Sequence, residues 1–115
     1  LFFGESSTMA SESAVLGIPA ILLNERWLGY TDEEKEYGLL FSYKENQSDQ
    51  RNSIKKGVEL LKKHDLQQEM AKNRGRFLEK KIDVTGFLVW YIENWPESFK
   101  IMKEDPDFQY RFFEG

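Results

Sequence analysis

The chain has no cysteine and a single histidine, His64, among its 115 residues. Disulfides and thiolate metal centres are excluded, and a zinc site has no cluster of donors to draw on. No metal site is therefore expected. Positive charge is not in excess either: 16 Lys and Arg against 20 Asp and Glu give a formal charge of −4. A general nucleic-acid binder needs a basic face to displace counterions, so no nucleic-acid partner is expected. No apolar run approaches the roughly 20 residues of a membrane-spanning helix. A thiol-free chain suits a reducing compartment, and a cytoplasmic setting is the default expectation. Prolines are few, and each of the three (Pro19, Pro96, Pro106) reads as a boundary.

What is present is a globular composition, 40% hydrophobic and 31% charged, with a length that allows one domain at most. The most informative stretch comes first. Leu1–Phe3 is apolar, Gly4 permits a sharp turn, and Ser6 or Ser7 suits a helix N-cap. A helix of small residues follows from Thr8 to Leu16. Gly17 fits a left-handed C-terminal position, and Pro19 prevents continuation. Residues 19–23 then form a short apolar strand of the kind buried on both faces. Opening on the end of a parallel strand implies sheet partners upstream, so the expectation is the C-terminal part of a larger α/β protein.

The remaining chain continues the alternation. Residues 24–30 read as a loop holding Arg26 and Trp27, and Thr31-Asp32-Glu33-Glu34 reads as a capping box opening a short helix ended by Gly38. Leu39–Tyr43 is the third strand. A helix capped by Ser48 then runs to about His64, turning an Ile54, Val58, Leu61 stripe inward and its lysines outward. His64 is expected to meet the last carbonyls of that helix. Another helix spans about 66–82, Val84–Trp95 is densely apolar, and Pro96 and Pro106 open a further helix and an aromatic tail expected to pack. The fold expected is α/β, a three-stranded parallel sheet with flanking helices and a helical C-terminal tail. Residues 1–64 form the sheet unit and 65–115 a helical extension packing on it.

A strand feeding directly into a helix aims free N–H groups and the positive helix end at one point, a natural anion site. Gly4, Ser6, Ser7 and Thr8 surround that point. An ordinary capped turn has the same spacing, and neither Gly-x-x-x-x-Gly-Lys nor Gly-x-Gly-x-x-Gly is present. Glu5 beside the turn would repel phosphate unless it points elsewhere. Glu12 stands five or six positions after the cap, too far for a capping box and about one 5.4 Å turn beyond the anion point. Such a carboxylate can accept hydrogen bonds from ribose hydroxyls, although a solvated helix glutamate fits equally.

The run GESSTMASESAVLGIPAILLNE resembles the C-terminal-domain signature of GT-B-fold nucleotide-sugar enzymes. It is similar to the UDP-N-acetylglucosamine 2-epimerases and to the UDP-GlcNAc-using glycosyltransferase of peptidoglycan synthesis. It looks most like a bacterial and archaeal family of predicted glycosyltransferases with a Gly-Glu-Ser-Gly-Thr-Met core, where Ser7 here stands in place of glycine. The resemblance implies part of a Rossmann-like GT-B domain that binds a UDP-sugar as substrate and needs no cofactor. It further implies phosphates at Gly4, Ser6, Ser7 and Thr8, and ribose at Glu12. Glu5 and Arg26, the latter from a faint echo of Thr-Glu-Arg in Asn24-Glu25-Arg26, become possible substrate contacts. The implied activity is glycosyl transfer or non-hydrolysing 2-epimerisation, with catalytic residues in an absent N-terminal domain and no catalysis by this chain alone. A non-catalytic interaction domain whose apolar tail binds a partner is the alternative from another class, and the open strand edge allows a homo-oligomer.

Overall fold

A computed structural model describes residues 1–26 and 28–113; Trp27 lies outside the described residues. Contacts divide the chain into two compact units, Leu1–Phe77 and Leu78–Gly115.

The first unit is α/β. Its strands are β1 (Phe2–Gly4), β2 (Ala20–Leu23) and β3 (Leu40–Tyr43), in the order β1-β2-β3, all parallel. Between them run α1 (Ser7–Val15) and α2 (Gly29–Glu36), followed by α3 (Gln47–Lys62) and α4 (Leu66–Leu78). Phe3, Ile21 and Phe41 are in register across the sheet and share one face. That is the α3 face: a Cβ on Gly57 would lie 3.4 Å from Ile21 Cδ1, and Lys56 Nζ sits 4.8 Å from the Phe41 ring centre. Right-handed crossovers in sequential order put α1 and α2 together on the other face, where Ala20, Leu22 and Leu40 are buried. The central strand is thus covered on both sides, as its unbroken apolar sequence requires.

The two helix-to-strand turns use Gly17 and Gly38, both at positive φ (78° and 70°). Helix α4 runs past both turns, bringing the Arg74 side chain near Gly17 and the Asn73 side chain near Gly38. It also seats the Phe77 ring edge-on against Tyr37, 5.5 Å between centres. This packing makes α4 part of the sheet unit, so the division falls after Phe77 and not at residue 64.

Several local expectations are corrected. Helix α2 starts at Gly29 with Leu28 as its cap, and Thr31 lies inside the first turn. The Thr31 hydroxyl donates to the Leu28 carbonyl, 2.8 Å, and Glu34 accepts from Ser11 Oγ on α1, so neither serves a capping box. Helix α3 is capped by Asn46, whose Oδ1 accepts from Asp49 N–H at 2.9 Å, and Ser48 lies within it. The Ile54, Val58, Leu61 stripe is exposed, and Ser53, Gly57 and Leu60 face the sheet instead. A side-chain-free Gly57 lets the backbone come close to Ile21, and that close approach decides which face is buried. Helix α4 ends at Leu78, short of 82.

The second unit holds α5 (Val84–Glu93), α6 (Glu97–Glu104) and a 3-10 helix, Pro106–Phe112. Asp83 caps α5 through Gly86 N–H at 3.0 Å. The aromatic tail packs on α5: Trp90 stacks on Phe108 with centres 4.7 Å apart, and Phe87 meets Phe112 edge-on at 5.5 Å. Buried Ser98 on α6 donates to the Tyr91 carbonyl, 2.6 Å. Among the described residues, no helix is long and apolar enough to cross a membrane.

Candidate functional site

Helix α1 begins where β1 ends, at the carboxyl edge of the parallel sheet. Ser6 has extended backbone angles and is the N-cap, its Oγ accepting from Met9 N–H at 3.3 Å. Its carbonyl accepts from Ala10 N–H at 3.0 Å. The N–H groups of Ser7 and Thr8 have no acceptor among the described residues, as the first turn of a helix dictates. They point outward from the carboxyl edge with the helix dipole behind them. Ser6 and Thr8 are exposed, while Gly4 and Ser7 are half-buried.

Ser7 is held from the neighbouring strand. Asn24, the first residue after β2, donates through Nδ2 to the Glu5 carbonyl at 3.1 Å and approaches Ser7 Oγ at 3.4 Å. The Glu5 backbone therefore shapes the turn, and its side chain lies exposed. Sequence reasoning passed over Asn24 as a loop residue. Its signal was available, since a polar residue directly at the end of a buried parallel strand stands beside the neighbouring strand's turn.

Glu12 follows Thr8 by four residues, so both occupy one face of α1, about 6 Å apart along the axis. Glu12 is exposed and forms no ion pair among the described residues. It borders a shallow depression with Ser11, Val15 and Leu16. The opposite side of the helix buries Ala10 and Ala14 completely, which is why α1 lies flat on the sheet.

Arg26 lines a concavity of 260 Å³ at the ends of β2 and β3, together with Asn24, Lys35, Ser42, Lys44 and Asp49. Its backbone N–H is fixed by Asn24 Oδ1 at 2.7 Å. Asp49 accepts from Lys44 N–H at 2.8 Å, closing the turn into α3. Tyr43 also lines this concavity, and burial pushes its phenol above the ordinary range despite the opposing pull of Lys56. Asn24 is shared, so the turn and this concavity adjoin. A larger cavity, 510 Å³, lies at the other end of the strands between Gly17–Pro19 and α4.

Among the described residues no group of acidic or histidine side chains could hold a metal ion. No family model, curated protein or solved structure matches the chain.

Proposed function

We propose that the carboxyl edge of this sheet binds the diphosphate of a UDP-sugar, with phosphates at the Gly4–Thr8 turn and ribose at Glu12. The chain would then be the donor-binding part of a GT-B-like protein. The observation that carries this reading is the pairing of unbonded Ser7 and Thr8 N–H groups with Glu12 one turn along the same face. Ligands of open α/β sheets bind outside the carboxyl ends of the strands, where this turn stands. The Ser7 and Thr8 hydroxyls add donors, and the exposed Glu12 carboxylate can accept from two vicinal ribose hydroxyls. Asn24 holds the turn in shape before any ligand arrives.

The chemistry expected of these groups is binding and charge stabilisation. Fixed N–H dipoles at the α1 N-terminus would stabilise negative charge developing on a departing UDP. No side chain of this turn is assigned as acid, base or nucleophile. A glycosyltransferase and a 2-epimerase are separated by product analysis of the complete protein with UDP-GlcNAc. Acceptor-dependent UDP release identifies transfer; UDP with free 2-epimerised sugar identifies epimerisation. The binding reading itself is tested by calorimetric titration of UDP into the chain and its Glu12→Ala variant. Saturable binding weakened about ten-fold or more by the substitution supports it.

A further inference from the structure

The outer side of α3 carries three large apolar residues that the sheet unit leaves in solvent. Ile54, Val58 and Leu61 recur at helical spacing and form one stripe. They are 59%, 45% and 67% exposed. The helix already buries Ser53, Gly57 and Leu60, so the stripe is a second face. Beside it runs β1, an edge strand of the sheet. Leu1 and Phe3 project onto the same side: Phe3 is in register with Ile21, and Leu1 joins Ile21 in approaching Gly57. They are 42% and 45% exposed. Stripe and strand thus make the wall and floor of an apolar groove, where a further helix of that layer would pack about 8–10 Å from α3.

Charge narrows the occupant. On the helical wheel Arg51, Lys55 and Lys62 border the stripe on its solvent side. All three are exposed, and none has an ion-pair partner among the described residues. The nearest acid on α3, Glu59, lies further round the helix and is paired with Lys56 at 3.1 Å. Asp65 follows in the turn to α4. A second copy of α3 packed antiparallel would set this basic flank against itself, a like-charge arrangement.

We propose that this groove docks an amphipathic helix of a partner protein, its apolar edge on Ile54, Val58 and Leu61 and its acidic flank against Arg51, Lys55 and Lys62. The groove lies on the sheet face opposite α1, so it stands independently of the nucleotide reading.

The test uses two labelled, designed helical peptides with one leucine stripe, flanked by Glu in one and by Lys in the other. Fluorescence anisotropy should give binding of the Glu peptide at least about ten-fold tighter than the Lys peptide, and weaker as salt rises. Val58→Asp should abolish binding with the circular dichroism spectrum unchanged. The R51E/K55E/K62E variant should reverse the preference between peptides. Equal binding of both peptides, binding of neither, or indifference to Val58→Asp would overturn the proposal. So would a dimer, seen by light scattering, that Val58→Asp dissociates, because a second copy would then be the occupant.

Discussion

Asn24 at the end of β2 donates to the Glu5 carbonyl at the end of β1, a 3.1 Å bond between the loops of adjacent strands. The same side chain accepts from Arg26 N–H and approaches Ser7 Oγ. One amide thus fixes both the turn at the head of α1 and the start of the loop that lines the neighbouring concavity. Asn24→Ala should cost about 1–2 kcal/mol of stability, as removal of a structural hydrogen bond does. UDP affinity should fall as well, because the turn loses its preset shape. Denaturant unfolding and titration of the same sample measure both. A variant unchanged in both would show that the amide holds nothing.

Helices α1 and α2 are joined by the Ser11 hydroxyl donating to Glu34, which is only 2% exposed. Removing this donor takes one hydrogen bond from a buried side chain. Ser11→Ala should therefore destabilise the fold by about 1–3 kcal/mol. Ser48→Ala, on the exposed surface of α3, should stay within about 0.5 kcal/mol. Equal effects of the two substitutions in chemical denaturation would contradict this account.

Gly17 turns the chain from α1 into β2 at φ 78°. A Cβ there meets two obstacles, the left-handed backbone and the Arg74 side chain, whose Cδ would be 3.1 Å away. Arg74 is itself held, its Nε donating to the Val15 carbonyl at 2.7 Å. Gly17→Ala should cost about 1–2 kcal/mol from the backbone alone. Gly75→Ala, inside α4 with open space around the new Cβ, should instead stabilise by about 0.5–1 kcal/mol. Thermal unfolding of the pair gives the comparison, and a shift of the same sign in both would contradict it.

Tyr43 supplies a pH dependence. Burial favours its neutral form, so its phenol ionises above the ordinary value of 10.0 in the folded chain. Below pH 10 both states hold the proton and the contribution is fully present. As pH rises past 10 the unfolded chain releases its proton first, and stability falls until the folded phenol also ionises. Tyr43→Phe should therefore lose less stability than the wild type over that alkaline interval. Parallel stability curves would contradict the assignment.

Much of the sheet unit is legible in the sequence because its signals are local. Ser6 caps by its hydroxyl, Gly17 and Gly38 are required by backbone angle, and residues 20–23 form an uninterrupted apolar run. What escaped depends on partners distant in sequence. Hydrophobic periodicity selects Ile54, Val58 and Leu61 as the buried face of α3, yet Gly57, with no side chain, allows the closest approach to the sheet. Thr31 and Glu34 have the spacing of a capping box, but Glu34 is engaged by Ser11, 23 residues earlier. Of the candidate site residues, the turn and Glu12 share one region of α1, whereas Arg26 lines the adjoining concavity. No local pattern distinguishes those two positions.

The central claim is that the head of α1 binds nucleotide phosphate while Glu12 binds ribose. Calorimetric titration with UDP and 2′,3′-dideoxy-UDP, each against wild type and Glu12→Ala, tests it most directly. The account predicts that UDP binds the wild type best, and that removing either the hydroxyls or the carboxylate weakens binding about ten-fold or more. Removing both should add little further loss, because the two changes delete the same hydrogen bonds. Equal affinity of UDP for wild type and Glu12→Ala, or no binding to either, would contradict it.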